Sequence, residues 1–499
     1  MFLFINFIFL IILYILYYKI MATPNLIRLQ DIPDDYGQHV ETDLLETSSY
    51  QEATATQTGY ASFNLPQKGF LHSKSKLFLS IVPDVAKARA FYPQNIGVAS
   101  LIQRAVLRVR KSGQVINDIS DFGNFHSIKS TMVSNEVNKE RNQYVDGRTI
   151  NHGFRHIRWT GAAVEDTGAE SFGYGLDNGR EYTADFGGVT GEATTLLQQP
   201  FANIEGGQPQ ESPTYSLSLD SLFPFLKTQS LPLYVIDQGI TIELYWSKTA
   251  LDRVCVGENT TTGGNFLIDK NELKFAADYI TYVQDDAMNR WRDDNPVVEM
   301  SFPDYRLAKT TVTQADLASG IVRSLGMNNR MVSRAITILS RENAASGIDS
   351  DLGIVNKYNM LAPNFATVTI ATGATTGTVK YNLKYKSRFE FSQSLENKAE
   401  IFTELTKSEG LPFVTRQEYS NEGGGFQGFI KFEDKVQSTL LAGRFFIMGT
   451  QLSNGRVESD GIELHLSGQF PAGTYQVRTY LEYGRSARIE NGDVEVSNL

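Results

Sequence analysis

The sequence predicts an all-β fold of the sandwich or jelly-roll kind. Three observations carry this. Several segments alternate apolar and polar residues with a period of two, as a strand buried on one face requires. Gly, Asn, Asp and Pro break the chain between those segments at turn positions. Helical periodicity is scarce, and no stretch has the βαβ rhythm of a dinucleotide-binding fold.

The elements follow in chain order. Over 104–110, Ala105, Leu107 and Val109 share one face, and Arg104, Arg108 and Arg110 share the other with Val106. Residues 314–325 predict a short helix ending at Gly326, with Gly320 inside it. Over 379–385, Val379, Tyr381, Leu383 and Tyr385 alternate with Lys380, Asn382 and Lys384. Leu395, Ala399, Phe402 and Leu405 fall on one helix face, with Ser394 as cap and Gly410 as stop. Ile462, Leu464 and Leu466 alternate with Glu463, His465 and Ser467, and Tyr475, Val477, Leu481 and Tyr483 share a face near the C-terminus. Phe389, Phe391, Phe445 and Phe446 lie in strand-like runs and read as core. Two Gly- and Thr-rich stretches, 160–215 and 342–376, read as long surface loops.

A weak internal match aligns LFPFLKTQSLPL (222–233) with FTELTKSEGLPF (402–413). It sets Phe225 against Leu405 and Leu231-Pro232 against Leu411-Pro412. A separation this large is unlike a solenoid repeat and fits two similar domains in tandem. The polar stretch WRDDNP (291–296) is the expected linker between them.

Composition removes several classes. Of 499 residues, one is cysteine, Cys255, so an intramolecular disulfide framework and a four-Cys zinc site are both excluded. With 41 % hydrophobic residues the chain is able to build a core. A net charge of −10 argues against broad electrostatic attraction to nucleic acid. Residues 1–18, MFLFINFIFLIILYILYY, have the length of a membrane span but no basic flank or cleavage site. Apart from Met1, residues 1–20 use only residue types whose codons can be written with A and T alone. The expectation is that they are translated upstream DNA and that Met21 is the start. A genuine N-terminal anchor is the other reading.

The catalytic inventory is poor. His152 and His156 are four apart, but NHGFRHIRWT is not helical in pattern and no third metal ligand is evident. The acidic pairs Asp34-Asp35, Asp285-Asp286 and Asp293-Asp294 match no EF-hand and read as solvated turns. Gly423, Gly425 and Gly428 satisfy a GxGxxG string without strand–helix context. Cys255 has only Arg253 as a basic neighbour and reads as an inert thiol. Asn259 opens a glycosylation sequon that matters only in a secretory lumen. The Arg104–Arg108–Arg110 face lacks interleaved aromatics and reads as a solvated or intersubunit face. No catalytic, cofactor-binding or metal-binding residue is therefore assigned. A carbohydrate-binding or carbohydrate-cleaving jelly roll is the competing class. It needs an aromatic groove, yet Trp159, Trp246 and Trp291 form no visible pair. A membrane-anchored surface protein using residues 1–18 is a further option.

Four segments carry a resemblance. They are SLIQRAVLRVRKSGQVINDISDFGNFHSIKS (100–130), SLFPFLKTQSLPLYVIDQGITIELYW (221–246), ADYITYVQDDAMNRW (277–291) and TYQVRTYLEYGRSARIENGDVEVSN (474–498). In the first, Ser112-Gly113, Asp118, Asp121, Phe122 and His126 occupy a glycine turn, an acidic-aromatic segment and a helix start. Together they resemble the double jelly-roll major capsid proteins of polinton-like viruses, virophages and nucleocytoplasmic large DNA viruses. The hydrophobic segment at residues 1–18 departs from that family.

The resemblance implies two eight-stranded jelly rolls in tandem, at 51–290 and 297–499, with short helices and long outer loops. It implies a non-enzymatic, cofactor-free capsid subunit in the virion. Three copies would form a homotrimer with pseudo-sixfold outline, packed beside other capsomers, penton and minor capsid proteins. Residues 21–50 would be an arm beneath the shell, and no specific nucleic-acid binding is expected.

Overall fold

The computed structural model describes residues 38–53, 57–83, 89–90, 97–133, 145–146, 214–227, 230–247, 266–282, 285–341, 379–385, 388–409, 446–452, 461–468 and 474–498, together with short strands within 155–203 and 367–376. Residues 1–37, His152, Cys255, Asn259, Gly410, Phe445 and the glycines at 423–428 lie outside the described residues.

The first half contains β1 (Gln38–Leu45), β2 (Ser49–Gln51), β3 (Tyr60–Leu65), β4 (Phe70–Leu71), β5 (Lys76–Leu79), β6 (Ile102–Val109) and β7 (Val115–Ser120). Helix α1 (Phe122–Val133) follows, then β8 (Tyr215–Ser218), β9 (Ile240–Trp246), β10 (Lys274–Tyr282) and α2 (Asp285–Asp294). The second half contains β11 (Val297–Thr313), α3 (Gln314–Ser319), β12 (Ile321–Gly326), β13 (Val332–Arg341), β14 (Lys380–Tyr385) and β15 (Arg388–Phe389). It ends with α4 (Lys398–Glu409), β16 (Ile447–Gln451), β17 (Ile462–Ser467), β18 (Thr474–Glu490) and β19 (Asp493–Asn498).

These strands form two pairs of antiparallel sheets. In the first half the orders are β1-β10-β5-β8 and β2-β3-β9-β6-β7; in the second they are β11-β18-β13-β16 and β12-β17-β14-β15. Take the eight principal strands of each half in chain order, setting aside β2, β4 and β19. One sheet then reads first, eighth, third, sixth, and the other second, seventh, fourth, fifth. Both halves obey this order, which is that of a jelly roll with its Greek-key crossings.

Period-two patterning explains the inner faces. Ala105, Leu107 and Val109 are buried, as are Tyr381 and Leu383, Leu464 and Leu466, and Val477 and Leu481. Phe63 of β3 meets Phe275 of β10 across the first roll, with ring centroids 5.9 Å apart. In the second, the Tyr381 and Thr450 hydroxyls lie 2.9 Å apart across the two sheets. Each such side chain contributes on the order of 1.5–3 kcal/mol when fully buried. One continuous buried cluster runs through both rolls, from Phe63 to Leu481.

Several expectations are corrected. Gln38–Leu45, assigned to an arm, pairs along its whole length with β10, because its own alternation suits a strand. Trp291 to Asp294 of the expected linker form the last turn of α2, and Trp291 packs edge-on against Phe70 at 5.0 Å. The helix expected over 314–325 stops at Ser319, where Gly320 takes φ +94 and Ile321 enters β12. Helix α4 is capped by Asn397, not Ser394: its Oδ1 accepts from the Glu400 N–H at 2.9 Å. Phe389 is 51 % exposed rather than core, because β15 is a two-residue edge strand. The stretch 160–215 holds short strands, among them Val164–Asp166 paired with Arg155–Trp159.

The internal sequence match also fails. Residues 222–233 lie between the sixth and seventh strands of the first roll. Residues 402–413 begin in α4, between the fifth and sixth strands of the second. The duplication is real in strand order, but those two segments are not equivalent within it.

Candidate functional site: the junction between the two rolls

The most elaborate polar arrangement among the described residues lies where the rolls meet. Strand β7 and helix α1 of the first roll sit on the outer face of the β11-β18-β13 sheet of the second. This buries β18 on both faces: Gln476, Arg478, Tyr480 and Glu482 are buried together with Val477 and Leu481.

Asp121 stands at the centre. It links β7 to α1 and adopts a left-handed backbone conformation, φ +51, which Asp tolerates better than most residues. One carboxylate oxygen accepts from Arg478 Nε, and the other accepts from Asn124 Nδ2 at 3.1 Å. Its carbonyl accepts from the Tyr480 hydroxyl at 3.1 Å. Arg478 is 1 % exposed and also donates to Ser340 Oγ. Burial opposes ionisation of Asp121, but the Arg478 guanidinium more than offsets it and holds the carboxyl below its ordinary range. Burial, then the Asp121 charge, push Tyr480 well above its ordinary value.

A second buried carboxylate repeats the device. Asp304 of β11 accepts from Asn117 Nδ2 of β7 at 2.8 Å, from Tyr483 Oη at 2.9 Å and from Arg485 at 2.9 Å. Arg485 in turn donates to the carbonyls of Ile116 and Val115, at 2.9 and 3.0 Å. Here burial dominates and raises the Asp304 carboxyl, although Arg485 pulls it down. Burial and the Asp304 charge push Tyr483 up to about 12.

Aromatic packing fills the space between. The Phe125 ring lies 4.7 Å from Tyr305 and 5.5 Å from Tyr480. Lys129 stands over the Tyr305 ring at 4.8 Å and reaches Glu482 at 4.0 Å. Phe225 stacks on Phe302 at 4.6 Å. At one end of the junction the turn between β18 and β19 latches onto the first roll. The Asp237 N–H donates to the Gly492 carbonyl at 3.0 Å, and Gln238 donates to Asp493 at 2.6 Å.

These carboxylates are saturated by donors that hold structure, so the junction is a clamp. Among the described residues no group of three or more His, Cys, Asp or Glu could hold a metal ion. His156 lies on a strand, and Asp293 and Asp294 are exposed on α2. Arg104 pairs with Asp118 at 2.6 Å and Arg108 with Glu243 at 3.2 Å, so two of the three arginines of that face are paired with acids of neighbouring strands, while Arg110 is exposed. Trp246 is fully buried and lines no groove. Among the described residues no helix is long and apolar enough to cross a membrane.

Of the junction residues, only Asp121 was singled out within the resemblance, although Arg478 and Arg485 lie in its last segment, 474–498. Arg478, Asp304 and Arg485 were missed. The available signal was the run TYQVRTYLEY, whose aromatic residues occupy both faces of one strand.

No family model matches the chain, and no curated protein does. Among solved structures it is similar to PBCV-1 VP54 fitted into a reconstruction of the virophage Sputnik. That match has 9 % identity over 93 % of this chain and 97 % of that one, with a TM-score of 0.49. It is similar to the mavirus major capsid protein at 9 % identity over 92 % and 90 % of the chains, with a TM-score of 0.46. A chain of the Sputnik virophage itself matches at 10 % identity over 92 % and 88 %, with a TM-score of 0.48. Two rolls of one strand order in a single chain, the architecture of the double jelly-roll capsid proteins that the sequence resembles, is the fold of this protein.

Proposed function

We propose that this chain is the major capsid protein of a double-stranded DNA virus. The observation that supports it most is the pairing of two jelly rolls of identical strand order through a buried ionic and aromatic junction. Such a junction fixes the angle between two similar blocks, which is what a lattice subunit needs. The domains in this reading are the two rolls, dividing near residues 291–296. Three chains form a homotrimer, so that six similar barrels surround its axis and give a pseudo-sixfold outline. Trimers then pack beside one another, with penton and minor capsid proteins completing an icosahedral shell assembled in the host cytoplasm or a viral factory. The net charge of −10 keeps assembled particles mutually repelling. Contacts between capsomers are individually weak and sum through multivalency.

Native mass spectrometry of a chain starting at Met21 tests this reading, with a stable trimer as the expected result. Electron microscopy of particles whose main protein matches this chain by mass would extend it. A strictly monomeric protein that binds glycans would overturn it.

A further inference from the structure

Strands β1 and β11 hold the same place in their rolls, each first in chain order and at the edge of its sheet. Different forces hold them there. Strand β11 buries Val298, Met300, Phe302, Tyr305 and Val312. None of residues 39–45 in β1 is buried, and Val40 and Leu44 are 51 % and 58 % exposed. Glu41 and Asp43 stand opposite the buried Tyr279 and Ala277, where an apolar strand would supply core residues.

Strand β1 is held by its backbone ladder with β10 and by polar contacts. Lys68, from the connection between β3 and β4, reaches Glu41 at 2.6 Å and Asp43 at 3.1 Å. Thr42 Oγ1 donates to Asp278 Oδ1 at 2.6 Å. Lys68 itself belongs to the body of the roll: its ammonium stands 5.3 Å from the centre of the Tyr279 ring. Gly69 brings it there. It takes φ +49, and a Cβ at that position would lie 2.4 Å from the Ile280 carbonyl oxygen. The side chains of Lys68, Glu41 and Asp43 are 29 %, 45 % and 34 % exposed, so water and salt screen these pairs. The attachment changes at Leu45. Leu45 and Tyr50 pack against the main core cluster, which includes Ala53. The Ser48 N–H donates to the Ser62 carbonyl at 2.7 Å, and Ser48 Oγ accepts from the Asn64 N–H at 3.0 Å. A strand with few buried apolar contacts, joined to a pinned segment, is drawn from the low-stability end of a domain.

We propose that residues 38–44 are a releasable strap: they leave the β10 edge as a unit while the rest of the first roll stays folded, with Lys68 as the catch and Leu45 as the hinge. Release lengthens the tether between the roll and the residues before β1 by about 24 Å, at about 3.4 Å per extended residue. It uncovers the β10 edge at the same time, leaving a row of backbone groups open to pairing. Only the first roll takes part, so release does not depend on assembly into a shell.

Hydrogen exchange read by mass spectrometry on the chain from Met21 tests it. In the unmodified chain, residues 38–44 are expected to exchange at one common opening rate, faster than β3 and β9. Raising sodium chloride from about 0.1 M to about 1 M shortens the reach of exposed charges. It is expected to speed exchange over 38–44 and to leave β3 and β9 unchanged. Lys68→Met is expected to speed exchange over 38–44 roughly fivefold, the loss of exposed pairs of this kind, and to remove the salt response. Glu41→Gln combined with Asp43→Asn is expected to do the same from the other side of the pairs. If residues 38–44 exchange no faster than β3, or if Lys68→Met speeds β3 and β9 as much as β1, the strand leaves only when the roll unfolds and there is no strap. If exchange over 38–44 is fast but unmoved by salt and by both variants, Lys68 is not the catch.

Discussion

Arg478 and Asp121, 357 positions apart in sequence, form an ion pair that joins the two rolls at a site almost closed to water. Removing one member of a buried pair leaves an uncompensated charge and typically costs about 3–5 kcal/mol. Arg478→Met is therefore expected to lower stability by about that amount in urea unfolding. Adding Asp121→Asn to it removes the stranded carboxylate and keeps a residue that accepts positive φ, so the double variant is expected to recover part of the loss. Equal losses in the single and double variants would show that the charge pair is not the source.

The two junction carboxylates respond to pH in opposite senses. Asp121 has a folded-state value below the ordinary carboxylate value of about 3.9. Its contribution is fully present above that value and is lost as pH falls through the folded one. Asp304 is raised in the folded state, so its contribution is present below about 3.9 and is lost as pH rises through its folded value. In unfolding measured from pH 3 to pH 7, the deficit of Asp121→Asn relative to the unmodified chain is expected to shrink toward acid. The deficit of Asp304→Asn is expected to shrink toward neutral pH. Parallel curves for the two variants would contradict both assignments.

The inner faces of the rolls were legible in the sequence because each strand there is buried on one side, and Val477 and Leu481 declare it by spacing. The junction was not legible for the converse reason. Arg478 and Glu482 lie on the face of β18 that a lone barrel would leave in water, and only the docking of the first roll buries them. Charged residues are ordinarily surface residues, so pattern alone assigns them there. Phe389 misled in the other direction: an aromatic residue beside Lys384 on a short edge strand looks like core and faces outward. Strand order, which identifies the duplication, joins segments more than two hundred residues apart, such as β1 with β10, and leaves no local trace.

Phe125 sets a different test. It is 1 % exposed in the first roll yet packs against Tyr305 and Tyr480 of the second. Truncating a buried Phe to Ala costs about 3–5 kcal/mol. Because the lost contacts lie between rolls, Phe125→Ala is expected to split thermal unfolding into two transitions, as two-state behaviour breaks when the rolls uncouple. Phe63→Ala, wholly inside the first roll, removes a similar area from one roll's own core. Calorimetry resolving two peaks for Phe63→Ala but one for Phe125→Ala would invert the expected roles.

Gly492 is the tightest point of the latch. It takes φ +83, and a Cβ placed there would lie 2.4 Å from Asp237 Oδ2. Both the left-handed backbone and the close approach favour glycine. Gly492→Ala is expected to strain the turn between β18 and β19 and to release the Asp237 and Gln238 bonds from it. Backbone strain of this kind costs on the order of 1–3 kcal/mol. Hydrogen exchange should then accelerate at the Asp237 amide, which donates to the Gly492 carbonyl, while amides inside the two rolls keep their protection. Unchanged exchange at Asp237 in the Ala variant would mean that the turn tolerates the methyl group and that the latch does not depend on glycine.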